Sequence, residues 1–147
     1  MTEDTHIPPL DLGLTHVALK CSNLKQTAAF YARFAAMTLV HEREEDGVRV
    51  GWLADGTRPF CIVFLEDGAV GPPLGPFAHL GVAVESRQRV DALIDQARAD
   101  GVAVEGPFDY PPPVGYGAFL YDPDGHTLEI SHGQTVAYTL RQRFEAL

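Results

Sequence analysis

The chain carries one pattern of structural elements twice, and this repeat constrains its fold more than any other feature. In each half, a short apolar run is followed by a helix-capping residue, a stripe of apolar residues at helical spacing and three further strand-like runs. The first runs contain His16 and His79, whose numbers differ by 63, and the helical segments 24–36 and 87–99 have the same offset. The sequence therefore predicts two consecutive βαβββ modules.

Two such modules are expected to fold together, because a single one of about 55 residues would bury too little surface to be stable alone. We predict an α+β fold in which the two βαβββ modules form a curved, partly open mixed β-sheet with the helices outside. The predicted boundaries are a leader over 1–13, a first module over 14–66, a linker over 67–77, a second module over 78–133 and a C-terminal tail over 134–147 that is a candidate short helix.

The composition disfavours several classes of partner. Lys and Arg total 11 against 20 Asp and Glu, giving a formal charge of −9, which would be repelled by phosphate backbones and anionic membranes. No segment reaches the roughly 18 apolar residues of a membrane span, and the N-terminus lacks the pattern of a signal or transit peptide. The two cysteines, Cys21 and Cys61, are too few for a disulfide framework. We expect a cytoplasmic protein that binds a small molecule.

Three residues in apolar strand-like runs have side chains suited to a metal ion. His16 and His79 occupy equivalent places in the repeat, and Glu129 stands between Leu128 and Ile130, where an unpaired carboxylate would be costly to bury. Two imidazoles and one carboxylate suit a divalent cation and leave coordination positions open. A single histidine in an apolar run is more often a hydrogen-bonded core residue, so the hypothesis depends on the combination. Fe²⁺ is the favoured metal, with Zn²⁺, Mn²⁺, Ni²⁺ or Co²⁺ as alternatives.

Four segments resemble the vicinal oxygen chelate superfamily, which includes glyoxalase I, fosfomycin-resistance proteins, extradiol dioxygenases and bleomycin-binding proteins. The segments are Thr15–Leu19, Ala29–Tyr31, Ala78–Val82 and Phe119–Ile130, and the Asp-Pro-Asp-Gly turn before Glu129 is the most specific. The resemblance implies a metal held by His16, His79 and Glu129 inside the curved sheet, and a homodimer. The sequence leaves open whether His16 meets His79 of its own chain or of a partner.

Several members of that superfamily have a fourth Glu or Gln ligand on the last strand of the first module. Here the middle of that strand, residues 60–65, offers none. Glu66 lies just beyond, at the same spacing from His16 as Glu129 has from His79. We predict that Glu66 is a solvated strand end and retain ligation as the alternative.

The ligand set favours an enzyme with extradiol-dioxygenase-like chemistry on a substrate that chelates the metal through vicinal oxygens. The alternatives are a glyoxalase-like lyase or isomerase, a fosfomycin-type transferase, and a metal-free binding protein of the bleomycin-resistance kind. Phe119 stands where the dioxygenases usually have a tyrosine, and Ala18 where the fosfomycin enzymes have a threonine.

Several other side chains are assigned from the pattern alone. Four aromatic residues are predicted to line the substrate pocket, with core or dimer contacts as the alternative: Trp52, Tyr110, Tyr116 and Phe119. Tyr121 is predicted to be a packed strand residue, with general acid as the alternative. His126 and His132 share a strand with Glu129 but fall on its opposite face, which predicts a surface or interface role.

Overall fold

The computed structural model describes residues 11–144, which form two four-stranded β-sheets and three helices. Most of the predicted leader and the last three residues of the tail lie outside the described residues. The elements in chain order are β1 (His16–Cys21), α1 (Leu24–Ala35), β2 (Thr38–Glu45), β3 (Val48–Ala54), β4 (Cys61–Glu66), β5 (Leu80–Ala83), α2 (Arg87–Ala99), β6 (Val104–Asp109), β7 (Tyr116–Tyr121), β8 (Thr127–His132) and α3 (Val136–Arg141).

The two sheets have the same topology. Their strand orders are β1-β4-β3-β2 and β5-β8-β7-β6, and in each the first strand pairs in parallel with the last while the other pairs are antiparallel. A parallel pair needs a long crossover between its strands, and here the helix and the two intervening strands supply it. The predicted α+β fold of two βαβββ modules is confirmed.

Helix α1 forms where a capping residue precedes an apolar stripe. The side chain of Asn23 accepts a hydrogen bond from the backbone N–H of Gln26 at 3.0 Å. The helix ends at Ala35, and the capping residue Ala36 has a left-handed backbone (φ 52°). The buried face consists of residues at helical spacing: Leu24, Thr27, Phe30, Tyr31, Phe34 and Ala35.

Helix α2 repeats this construction in the second module. Ser86 Oγ accepts from the backbone N–H of Arg89 at 3.0 Å, and Gly101 (φ +76°) follows the last turn. The buried stripe consists of Val90, Leu93, Ile94 and Ala97. The equivalent helices are thus specified by the same local signals, a side-chain cap and an apolar face.

Helices α1 and α2 each cover one face of the sheet in their own module, so the opposite face of each sheet is available for a site. Helix α1 packs on β2, β3 and β4, and helix α2 packs on β6, β7 and β8. The buried apolar residues of both modules form one continuous core. We call the uncovered side of each sheet its open face; strand alternation places His16 and Trp52 on the first and Phe119 and Glu129 on the second.

The turn that precedes β8 joins the second module to the first. Asp122, only 5% exposed, accepts hydrogen bonds from the Tyr31 hydroxyl and from the backbone N–H groups of Asp124 and His126, each at 2.9 Å. Asp124 accepts from the backbone N–H of Ser22 at 3.0 Å. The most family-specific segment of the sequence therefore serves here as a brace between modules.

His126 was predicted to lie at a surface or interface, and the structure corrects this. The residue is 3% exposed; Nδ1 accepts from the backbone N–H of Leu74 and Nε2 lies 2.8 Å from the carbonyl oxygen of Lys20. A neutral imidazole with its proton on Nε2 fits both contacts, because its Nδ1 can accept and its Nε2 can donate. The prediction that His126 and Glu129 lie on opposite faces of the strand is correct, but the face that carries His126 is buried in the protein.

Two further sequence expectations concern the thiols and the membrane. Cys21 and Cys61 are both free, and burial raises the pKa of the Cys21 thiol to about 11. Cys21 is therefore an unreactive core residue at neutral pH. None of the helices between residues 11 and 144 is long and apolar enough to cross a membrane.

Candidate metal and substrate site

The open face of the second sheet brings together two of the three predicted metal ligands. Glu129 is 7% exposed, and its Oε2 lies 2.8 Å from Nε2 of His79, which immediately precedes β5. Nδ1 of His79 lies 2.7 Å from the carbonyl oxygen of Phe77 and donates its proton there. With Nδ1 directed at this carbonyl, Nε2 of His79 and Oε2 of Glu129 are adjacent, an arrangement in which both atoms can bind one metal cation.

A glutamine fixes the other oxygen of this carboxylate. The side-chain amide of Gln134, in the segment between β8 and α3, donates to Glu129 Oε1. Both carboxylate oxygens therefore have defined partners, one directed at His79 and one at the amide. Outer partners of this kind orient ligands in metal sites.

His16 lies apart from this pair in the single chain. It is exposed on the open face of the first sheet, where Nδ1 is 2.9 Å from the hydroxyl of Thr15. Within residues 11–144, no group of three His, Cys, Asp or Glu side chains is placed to hold a metal ion. The chain thus supplies an isolated imidazole on one open face and an imidazole–carboxylate pair on the other.

The strand registers resolve the position of Glu66. Val17 pairs with Ile62 in the first sheet and Leu80 with Leu128 in the second, so the residue equivalent to Glu129 is Val63. Glu66 pairs with the buried Cys21 on the helix side, where its carboxylate accepts from the backbone N–H of Leu24. Glu66 and Glu129 follow His16 and His79 at the same spacing, but this does not make them equivalent. Between paired positions of the first and last strands, the second module has three more residues than the first.

Glu66 is therefore expected to stabilise helix α1 without binding metal. We predict that Glu66→Ala lowers the free energy of unfolding by about 1 kcal/mol, because an N–H of the first helical turn loses its acceptor. Urea unfolding measures this loss, with Glu85→Ala on the exposed surface as control. Metal affinity, measured by titration calorimetry, is expected to stay within about twofold; a tenfold fall would restore Glu66 as a ligand.

A cavity of about 470 Å³ opens beside the His79–Glu129 pair. Its walls include Glu105, Phe108, Tyr110, Phe119, Glu129 and Gln134. The Phe108 ring packs against those of Tyr110 and Phe119, with centroids 6.0 and 5.5 Å apart. The edge-on contact of His79 with Phe119 at 5.4 Å joins this aromatic wall to the candidate metal pair.

The four aromatic residues predicted to line a pocket have different surroundings. Tyr110 and Phe119 line the cavity. Trp52 lies on the open face of the first sheet, with its ring 4.6 Å from that of His41. Tyr116 lies three residues before Phe119 in the same strand and therefore faces α2, where its hydroxyl donates to Asp91. The structure does not place Tyr116 or Trp52 in this cavity.

Sequence reasoning missed the polar group at the far side of the cavity. Glu105 pairs with Phe119 across the β6–β7 hairpin, and its Oε2 accepts from the Tyr121 hydroxyl at 2.7 Å. This hydrogen bond to Glu105 raises the pKa of Tyr121 above its usual value. Alternation along β7 from Phe119 places Tyr121 on the open face, so this residue could have been identified from the sequence. Glu105 could not, because the register of the β6–β7 pair shifts between Glu105 and Phe108.

Comparison with known proteins gives a family and a relative. The family model described as the Glyoxalase/Bleomycin resistance protein/Dioxygenase superfamily matches residues 13–130. The uncharacterized protein PA2024 of Pseudomonas aeruginosa is 38% identical over 124 residues, which cover 82% of this chain and 89% of that protein.

Solved structures of the same fold differ widely in sequence. The manganese complex of the fosfomycin resistance protein FosX from Listeria monocytogenes has a TM-score of 0.69 at 19% identity, covering 89% of this chain and 99% of that one. Glyoxalase I of Leishmania major has a TM-score of 0.67 at 17% identity, covering 92% and 97%. The antibiotic-binding protein TnmS3 from Streptomyces sp. CB03234 has a TM-score of 0.63 at 20% identity, covering 86% and 99%. At these identities the likeness concerns the fold alone.

Proposed function

Because the chain belongs to the glyoxalase/bleomycin resistance protein/dioxygenase superfamily, we propose that it is a metal-dependent enzyme acting on a small substrate with vicinal oxygens. The observation that carries this proposal is the 2.8 Å approach of His79 Nε2 to Glu129 Oε2. The anchoring of His79 Nδ1 on a backbone carbonyl supports it, because metal-bound histidines are commonly oriented in this way.

The donor set fits a divalent cation. His16, His79 and Glu129 would hold it with two neutral imidazoles and one carboxylate, and open positions would remain for substrate oxygens. We favour Fe²⁺ and an extradiol-dioxygenase-like reaction, with Zn²⁺, Mn²⁺, Ni²⁺ or Co²⁺ and glyoxalase-like chemistry as the alternative. A bound cation would supply Lewis acidity toward negative charge that develops on the two substrate oxygens.

The protein's own residues would hold and orient the substrate. Phe108 and Phe119 present apolar ring surface to a planar substrate beside His79 and exclude water from that side of the cavity. Gln134 keeps the Glu129 carboxylate in one orientation through its amide. Substrate positioning thus comes from the aromatic wall, and ligand positioning comes from Phe77 and Gln134.

We propose that the partner subunit of a homodimer supplies His16. Both candidate ligand histidines lie near apolar side chains that the single chain leaves in solvent: Leu14 is 86% exposed and Phe77 is 92% exposed. Large exposed apolar residues beside a functional group favour a covering interface. An antiparallel dimer that stacks one open face on the other would cover them and bring His16 to the pair.

The cavity is less suited to a fosfomycin-type transferase. Its described lining contains Glu105 and Glu129 and no Lys or Arg, so the proposed metal would be the one cation facing a phosphonate there. The aromatic wall does suit the second candidate, a metal-free protein that sequesters an aromatic ligand.

Metal analysis followed by oxygen uptake tests the proposal. Protein purified without chelators, or reconstituted anaerobically with Fe²⁺, is expected to retain close to one metal ion per chain after desalting. The iron-loaded protein is then expected to consume O₂ with at least one catechol, measured with an oxygen electrode. Failure to bind any of the five metals would favour the sequestering protein, while metal binding without O₂ uptake across the catechols would favour glyoxalase-like chemistry.

A further inference from the structure

We propose that Glu105 is a second polar anchor in the cavity and that the substrate is planar, with an ammonium or other donor group about one ring away from its vicinal oxygens. This inference rests on the proposed function and defines the substrate class of the same site. It starts from the placement of Glu105 opposite the His79–Glu129 pair across the aromatic wall.

Three cavity residues lie in one row across the second sheet. Glu105 pairs with Phe119, and Phe119 pairs with Glu129, so the three side chains share the open face. Neighbouring strands are about 4.8 Å apart, which places the backbones of the two glutamates about 10 Å apart with the Phe119 ring between them. That separation suits a single aromatic ring with a short substituent, chelated at one end and anchored at the other.

The Glu105 carboxylate is held for this role by a neighbour on the same face. The Tyr121 hydroxyl donates to Glu105 Oε2 at 2.7 Å, so Oε1 would accept from a substrate in the cavity that Glu105 lines. Tyr121 is therefore a positioning residue, and Glu105 is the group that would contact substrate. A carboxylate that accepts from an ammonium forms a charge-assisted hydrogen bond, which is stronger than a neutral one.

The surrounding charges and rings favour a cation over an anion. Glu105 and Glu129 are the charged residues of the described cavity lining, and the π faces of Phe108, Tyr110 and Phe119 attract positive charge. In a stacked dimer, the strands of the first sheet would bring two basic side chains on their open face, Lys20 and Arg43. Both already pair with carboxylates of their own chain: Lys20 with Asp67 at 2.8 Å and Arg43 with Glu45 at 2.7 Å.

Three catechols with different charges on the substituent at ring position 4 provide the test: dopamine (cationic aminoethyl), 4-methylcatechol (neutral methyl) and 3,4-dihydroxyphenylacetate (anionic carboxymethyl). Their affinities are measured by calorimetry on the Zn²⁺-loaded protein, where the metal is redox-inert. Dopamine is expected to bind about tenfold more tightly than 4-methylcatechol, the order of one charge-assisted hydrogen bond, and the anion more weakly than either. The preference is expected to shrink as salt is raised.

Matched variants assign the preference to Glu105. Glu105→Gln is expected to bring dopamine and 4-methylcatechol within about twofold of each other while leaving the affinity for 4-methylcatechol unchanged. Tyr121→Phe is expected to give an intermediate preference. Glu85→Gln changes the net charge equally at an exposed site outside the cavity and is expected to keep the full preference. An undiminished preference in Glu105→Gln, or tightest binding of the anion, would overturn the inference.

Failure of the proposed function gives a different result. If no catechol binds the metal-loaded protein, chelation of a catechol by the metal is excluded. Phenethylamine and phenylacetate, which lack the chelating oxygens, then still test Glu105. A preference for the amine that disappears in Glu105→Gln would support the anchor, and equal binding of the two would exclude it.

Discussion

Replacement of His79 by alanine is expected to abolish stoichiometric metal binding and to lower metal affinity by more than about 100-fold. Loss of an outer-shell partner alone typically costs 10–100-fold, and His79 is placed as a direct ligand at 2.8 Å from the Glu129 carboxylate. Calorimetry with Zn²⁺ or Mn²⁺ and metal analysis after desalting measure the loss. His132→Gln, a substitution in the same strand but on the face opposite Glu129, is the control and should keep full affinity.

The same measurement on paired variants locates His16. His16→Ala is expected to match His79→Ala when each is a homodimer. Co-expressed with different tags, the two variants would form a mixed dimer in which one site receives His79 and Glu129 from one subunit and His16 from the other. About one metal ion per mixed dimer is expected. Recovery of no metal in the mixed dimer would place the whole site within one chain, and full binding by His16→Ala would remove His16 from the ligand set.

Replacement of Asp122 by alanine is expected to lower the free energy of unfolding by about 3 kcal/mol, a large share of the stability of a small domain. The change removes the acceptor of three hydrogen bonds, each 2.9 Å long, and leaves the hydroxyl of the buried Tyr31 without its partner. Urea unfolding measures the loss. Asp124→Ala, which removes an exposed acceptor of the Ser22 N–H, is the matched control and should cost less than about 1 kcal/mol.

A double-mutant cycle separates the brace from general disruption of the turn. Tyr31→Phe removes only the hydroxyl, so its cost should be smaller, about 1–2 kcal/mol, and should largely vanish in the Asp122→Ala background. Additive losses would mean that the Tyr31–Asp122 contact does not couple the modules.

The Asp122 contribution should also depend on pH in a defined direction. Burial raises the pKa of the Asp122 carboxyl above its ordinary value of 3.8. A group whose native pKa is raised stabilises most when protonated, so this contribution is full below pH 3.8 and is lost as pH rises through the native pKa. The stability of the wild type relative to Asp122→Asn should therefore decline between pH 3.5 and pH 7. A constant difference would exclude a raised native pKa.

The sequence specified local structure well because its signals act over a few residues. Asn23 and Ser86 cap the helices that follow them, and the apolar stripes of those helices are buried as their spacing predicts. The repeat offset identified His16 and His79 as equivalents, and alternation in β8 separated Glu129 from His126. These inferences need only chain geometry and hydrophobic periodicity.

Assignments that depend on strand pairing were less secure. Counting residues made Glu66 the equivalent of Glu129, whereas the register assigns that position to Val63. Phe119 and Tyr110 meet in the cavity, but Tyr116 faces a helix and Trp52 belongs to the other sheet. Glu105 reaches the cavity only through a hairpin with a shifted register, and no sequence periodicity signals that shift.

The sequence by itself therefore determined the two βαβββ modules and the three candidate ligand residues, because caps, turns and periodic burial are encoded in neighbouring residues. Tertiary structure alone decided which face of each strand is open, that His79 meets Glu129 while His16 stands apart, and that Glu105 completes the cavity. Register and module packing are set by burial and hydrogen bonds between residues that are distant in the chain, and neither can be obtained by counting along it.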